Sequence, residues 1–232
     1  MKVNFDGPNF QNLKTRLRVY FIRHGESEGN SQGILQGLSE FPLSERGRWQ
    51  SQHAAEWLSD KNIDVVFCSP LLRARETAEI ICRPLGIEEP TQMKDLHELD
   101  AGIFSGLTAR EIQIEYPDEW QQFRRKSWES VPKAEKISSL WERAISVWNQ
   151  IIVAANQGQR HIAAVTHGGL LQWLIKSSFS AAPSWMPLIP TENCSIHEFI
   201  AHPIPAPDEE PDPKLPGSSF YASWLSFNMV PW

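Results

Sequence analysis

Two apolar runs, each ending in a histidine and a glycine, constrain this chain more than any other feature. The first passes through Leu17, Val19, Tyr20, Phe21 and Ile22 into Arg23-His24-Gly25. The second, His161-Ile162-Ala163-Ala164-Val165-Thr166, ends in His167-Gly168-Gly169. A short apolar run without polar alternation is the pattern of a strand buried on both faces, as in the parallel sheet of an α/β protein. Helical patterns separate the two runs, so the strands deliver their histidines to one edge of one sheet. A third run, Val65-Val66-Phe67-Cys68, is broken by Ser69-Pro70. A helical stripe of Leu71, Ala74, Ala78 and Ile81 follows it. The expected fold is α/β: a three-layer α/β/α sandwich with a mostly parallel central sheet.

The remaining segments fit around this frame. Ser44 caps a helix that carries Trp49, His53, Trp57 and Leu58 at helical spacing, and both tryptophans are expected on its buried face. The stretch from Ser27 to Glu40 has no clear period and reads as a loop around the site. Leu96 to Leu99 reads as a short strand with Glu98 exposed near its end. Residues 103–134, rich in aromatics and charge, form a helical excursion outside the sheet, broken at Tyr116-Pro117. Ile137, Trp141, Ala144, Trp148 and Ile152 predict a long helix from Ala134 to Ala155, stopped by Asn156 and Gly158. A loop over 177–190 and a strand over 193–199 come next. Residues 1–15 are polar and turn-rich and read as a mobile arm. Residues 203–216 hold six prolines, which excludes a core helix or a central strand, and read as an exposed insertion. Trp224 to Val230 returns as an edge strand.

Composition narrows the function classes. The chain has 232 residues, enough for a single domain spanning 1–232 with a well-filled core, and a formal net charge of -6 that does not favour a nucleic-acid groove. Cys68, Cys82 and Cys194 lack C-x-x-C spacing, which points to buried or incidental thiols. There is no apolar run of membrane-spanning length and no apolar signal-peptide core near Met1, so a cytoplasmic protein without membrane contact is expected.

Arg23 offers a planar fork to phosphate oxygens, and His24 is able to serve as base, metal ligand or nucleophile, or simply as a polar residue at a strand end. Arg73, after the Ser-Pro break, suits the second half of an anion clamp at a helix N-terminus. A metal site built from His24, His167, Glu26 and Glu28 is disfavoured, because arginines flank it and no H-E-x-x-H spacing is present. Nor is there a G-x-x-x-x-G-K-[ST] loop for nucleotide binding.

These residues also form ordered blocks. Arg23-His24-Gly25-Glu26 through Asn30, Gln36-Gly37 with Pro42-Leu43-Ser44, Cys68-Ser69-Pro70-Leu71-Leu72-Arg73 through Ala78, Leu96-His97-Glu98 with Gly106-Leu107, and Val165-Thr166-His167-Gly168-Gly169 fall in sequence between about residues 17 and 200. Together they resemble the histidine phosphatase family, which contains the phosphoglycerate mutases. The resemblance implies that His24 attacks phosphorus and becomes a phosphohistidine. Arg23, Arg73 and His167 would surround the phosphate, and Glu98, otherwise readable as a surface carboxylate, would be the proton donor. Asn30, Gln36, Gly37 and Gly168 would contact substrate, although loop hydrogen bonding accounts for Asn30 and Gln36 as well.

The same resemblance implies hydrolysis of a small phosphorylated metabolite with no cofactor and no metal. A phosphoglycerate mutase and a non-catalytic module binding a phospho-ligand or protein are the alternatives. The oligomeric state stays open, a homodimer included. The chain departs from the family at Gln172, where many relatives carry arginine, and at Ala134-Glu135-Lys136, where phosphatases often carry Gly-Glu-Ser. Gly106-Leu107-Thr108 also lacks the Asn-Lys that follows the corresponding residues in glycolytic mutases. Arg124-Arg125-Lys126 either meets anionic substrate groups or forms a solvated helix face.

Overall fold

Alternation along the buried strands builds the layers. The computed structural model describes residues 5–181, 183–184, 187–204 and 220–232. In β1 (Leu17–Arg23), Leu17, Val19 and Phe21 enter one apolar cluster while Tyr20 and Ile22 enter another on the opposite face. The elements after β1 run α1 (Glu28–Ser31), β2 (Ile34–Leu35), α2 (Glu45–Leu58), β3 (Val65–Cys68), α3 (Leu72–Leu85) and β4 (Thr91–Gln92). They continue with β5 (Leu107–Thr108), α4 (Ala109–Glu115), α5 (Pro117–Lys126), α6 (Ile137–Asn156), β6 (His161–Thr166), α7 (Gly168–Ser178), β7 (Ile196–Pro203) and β8 (Phe220–Met229).

The main sheet has the order β4-β3-β6-β1-β7-β8; β4, β3, β6 and β1 pair in parallel, and β7 is antiparallel to both β1 and β8. Helices α6 and α7 cover one face through Trp141, Trp148, Leu171 and Leu174. Helices α2 and α3 cover the other through Ala54, Leu58, Ala78 and Ile81. The result is the expected three-layer sandwich, with β8 at a sheet edge as anticipated for Trp224 to Val230. Among the described residues no helix is long and apolar enough to cross a membrane.

Several expectations need correction. The N-terminal segment is docked and not mobile over residues 5–15: Phe10 is 2% exposed, and its ring lies 5.4 Å from Trp148 and 5.3 Å from Phe199. Its polar composition concealed two apolar anchors, Phe10 and Leu13, which fill the space beside α6. The Phe10→Ala variant should therefore lose about 3–5 kcal/mol of stability, the usual cost of emptying an aromatic core site. Urea unfolding measures this, and a loss under about 1 kcal/mol would restore the mobile-arm reading.

Trp49 does not face the core. It is 44% exposed and packs on His53 and Trp232, while Trp57 is half-buried against Tyr20. Helix α2 instead turns Gly47, Ser51, Ala54 and Ala55 inward, because the Glu26 backbone passes directly over Gly47 and leaves no room for a β-carbon. The 27–40 segment contains α1 and β2 and is not a continuous loop. Residues 96–99 form no strand: Lys94–Leu96 is a 3-10 turn, and the strand of this region is β4.

The long helix begins at Ile137, since Ala134 is held in a bridge to Ala101. The helical excursion divides at Tyr116-Pro117 as expected, with Pro117 opening α5. The proline-rich insertion expected at 203–216 starts where β7 ends, and from residue 205 it lies outside the described residues.

Candidate active site

Register brings the two histidines together. Arg23 pairs with Thr166 across the parallel β1–β6 ladder, so His24 and His167 leave adjacent strand ends side by side, ring centroids 5.0 Å apart. His24 is 2% exposed, and its backbone N–H donates to the Thr166 carbonyl at 2.9 Å. Its Nδ1 lies 2.6 Å from the Gly25 carbonyl. A carbonyl only accepts, so Nδ1 carries the proton and Nε2 is left with its lone pair. Burial, reinforced by Arg73 and Arg23, pushes the imidazole well below its usual pKa and keeps it neutral.

His167 is fully buried, and burial, Arg73 and His24 likewise lower its pKa well below the ordinary value. Its Nε2 is 2.8 Å from Ser69 Oγ, and among the described residues its Nδ1 has no hydrogen-bond partner. The Leu71 N–H donates to Ser69 Oγ, which leaves the hydroxyl proton free to donate to the ring.

Arg23 and Arg73 flank this pair. Arg23 donates from Nη1 to the Thr191 carbonyl at 2.7 Å, and Arg73 from Nη1 and Nη2 to the Ser39 and Gly37 carbonyls at 2.8 and 2.9 Å. Each keeps a buried Nε without a partner, and neither forms an ion pair among the described residues. Burial lowers both pKa values, that of Arg73 to about 10. Arg73 is only 1% exposed. Burying a cation without a counter-ion costs several kcal/mol, which a bound anion would offset.

Glu98 reaches the site from the segment after β4. Its carboxylate accepts from the backbone N–H of Leu99, Gly169 and Leu170 at 2.8, 3.1 and 3.2 Å, capping the start of α7. A β-carbon on Gly169 would collide with this carboxylate, so the close approach requires glycine there.

Arg23, His24, Asn30, Gln36, Gly37, Arg73 and Glu98 all line one cavity of about 260 Å³. Of the residues expected around the phosphate and substrate, Gly168 and His167 do not line it; His167 lies fully buried behind His24. Gly169 takes the place of Gly168, which packs on the Arg23 side chain and Thr191. Asn30 Oδ1 accepts from Ser27 and Asn193, and Gln36 Oε1 accepts from the Ser27 hydroxyl. Among the described residues the amide nitrogens of both are left without partners.

Several contributors were not singled out from sequence. Arg143, 8% exposed, forms a bidentate pair with Glu135 and donates to the carbonyls of Asp95, His97 and Glu98. It thereby holds the segment that carries Glu98. Its only signal was a charge on the apolar stripe of an amphipathic helix, and the carbonyls it meets stand more than forty residues away in the chain. Trp128, which lines the cavity from beyond α5, carried no signal separating it from its aromatic neighbours. Gln172, where many relatives carry arginine, ties down the loop after α7 by bonding Leu188 and Ile189. Arg124, Arg125 and Lys126 are exposed on α5 and do not line the cavity, which favours the solvated-face reading.

The family model described as the histidine phosphatase superfamily (branch 1) matches residues 19–203. A probable 2-carboxy-D-arabinitol-1-phosphatase of Arabidopsis thaliana is 29% identical over 81% of this chain, which spans only 39% of that relative. The phosphoglycerate mutase-like protein 4 of the same plant is 32% identical over 78% of each chain. Among solved structures, a mycobacterial glucosyl-3-phosphoglycerate phosphatase superposes with a TM-score of 0.74 at 23% identity, covering 92% of this chain and 99% of the other, a likeness of fold.

Proposed function

The chain belongs to the histidine phosphatase superfamily, and from that premise we propose that it hydrolyses a phosphomonoester of a small metabolite through a covalent phosphate on His24. One observation carries the reading: the buried Arg73 and the half-buried Arg23, neither in an ion pair among the described residues, flank a neutral imidazole whose Nδ1 faces a carbonyl, so that Nε2 keeps its lone pair. Phosphoryl transfer requires positive charge around the equatorial oxygens more than elaborate covalent machinery. Arg23, Arg73 and the unpartnered Nδ1 of His167 supply donors for those oxygens, so the charge stabilisation is assigned to side chains and no metal is invoked.

In the first step His24 Nε2 bonds to phosphorus as the P–O ester bond breaks, and Glu98 gives its proton to the leaving alkoxide. In the second, water attacks phosphorus and the P–N bond breaks. Glu98 recovers a proton from that water, and orthophosphate leaves. The 2-carboxy-D-arabinitol-1-phosphatase relatives are consistent with this class of reaction. A mutase must hold a second anionic group on its substrate, and among the described residues no cation besides Arg23 and Arg73 lines the cavity.

The test is a panel of phosphomonoesters assayed with a chelator present, phosphate release being followed alongside conversion of 3-phosphoglycerate to 2-phosphoglycerate. Release without isomerisation is expected. Isomerisation dependent on a bisphosphate primer would select the mutase, and orthophosphate binding without turnover of any ester would select the binding module.

A further inference from the structure

The lining of the cavity divides into two chemical sets. One holds the guanidiniums of Arg23 and Arg73 and the imidazole of His24. The other is an apolar wall of Ile34, Leu35, Leu99, Ala101 and Trp128. Three separate parts of the chain supply it. Ile34 and Leu35 belong to β2 and are fixed by pairing with Thr108 and Leu107 of β5. Leu99 and Ala101 follow Glu98 directly. Trp128 comes from the helical excursion, its ring centroid 4.8 Å from that of Phe123 and 6.4 Å from that of the fully buried Phe104. An aromatic so braced is a preformed surface for an apolar ligand body.

Charge works in the same direction. Among the described residues the cations that line the cavity are Arg23 and Arg73, and the Glu98 carboxyl stands beside Leu99 of the apolar wall, both lying against Gly169. A substrate with a carboxylate or a second phosphate would place it against carbon atoms and close to another acid, with no cation to meet it. The basic run 124–126 is exposed on α5 and does not line the cavity. The free amide nitrogens of Asn30 and Gln36 are neutral donors, suited to a phosphate oxygen or a single hydroxyl or carbonyl.

We infer that this site takes phosphomonoesters whose alcohol portion is largely apolar and carries no second anionic group. The inference rests on the phosphate-ester reading above and adds to it the class of leaving group.

Non-hydrolysable phosphonates test recognition apart from turnover. Binding of benzylphosphonate, 3-phosphonopropionate and orthophosphate is measured by calorimetry, while hydrolysis of benzyl phosphate and 3-phosphoglycerate is followed in parallel. Benzylphosphonate should bind at least tenfold more tightly than 3-phosphonopropionate. Trp128→Ala should remove most of that difference. Leu35→Lys, which puts a cation into the wall, should narrow it by improving 3-phosphonopropionate binding. Equal affinities, or tighter binding of the carboxylated phosphonate by the unmodified protein, would overturn the inference. The two readings fail separately. A preference for benzylphosphonate without hydrolysis of any ester would overturn the phosphatase reading and leave the apolar wall standing. Faster hydrolysis of 3-phosphoglycerate than of benzyl phosphate would do the reverse.

Discussion

The His24→Ala variant should lose turnover by on the order of 10⁴-fold or more and form no acid-labile phosphoenzyme, as expected when the nucleophile of a covalent mechanism is removed. The geometry makes the loss hard to bypass. The Gly25 carbonyl fixes the proton on Nδ1 and the adjoining backbone places the ring beside both arginines. Water arriving in place of the imidazole would meet the same positive field without the aligned lone pair. Trapping with labelled substrate followed by acid and alkali treatment reads the intermediate, and circular dichroism confirms that the fold survives. A variant with near-normal turnover would refute the covalent mechanism.

A pH profile adds a second readout. Burial lowers the His24 pKa well below its usual value of about 6.5, so the imidazole stays neutral as pH falls through that value. The acid limb of kcat/KM, which reports the free enzyme, should therefore show no His24 step near pH 6.5.

Glu98→Gln should cost about 10²- to 10⁴-fold in turnover of alkyl phosphates, the range of general acid–base catalysis. The amide preserves the shape of the carboxyl group but delivers no proton to the leaving oxygen and takes none from water. Structurally it can still accept from Leu99 and Leu170 through Oε1, while its NH₂ group would face the Gly169 N–H. That mismatch should cost about 1–3 kcal/mol of stability, so unfolding must be measured beside kinetics. The diagnostic is the leaving group. An aryl phosphate departs with little help from an acid, so the penalty should shrink for it wherever phosphorylation limits the rate. An unchanged penalty across both ester types would point to lost positioning of α7 and not to lost acid catalysis. A harmless substitution would remove Glu98 from the mechanism. Asp100 and Glu26 are poor replacements, since neither lines the cavity. Asp100 is engaged by the Gly102 N–H and Glu26 by the Ser44 hydroxyl.

Much of this architecture could be read from local pattern. The apolar runs of β1, β3 and β6 have no solvent face, so they had to be internal strands, and the helices between them impose a common direction. Once His24 and His167 ended two such strands, their convergence followed. Caps were equally legible, because a hydroxyl and the N–H groups it accepts from lie within one turn: Ser44 caps α2, and Gly86 in the left-handed region closes α3.

Features that depend on approach between distant segments were not legible in this way. Helical spacing marks Trp49 and Trp57 as apolar, but how closely α2 meets the Glu26 backbone selects Gly47 for the inner face. Polarity and turn residues describe residues 5–15 correctly and still miss that Phe10 closes the core beside Trp148. The bonds from Arg143 to the segment carrying Glu98, the pairing of His167 with Ser69, and the place of Trp128 in the substrate wall all join residues far apart in the chain. Periodicity records the chemical character of each position along its own element; the distance and angle at which another element arrives are set by packing of the whole core.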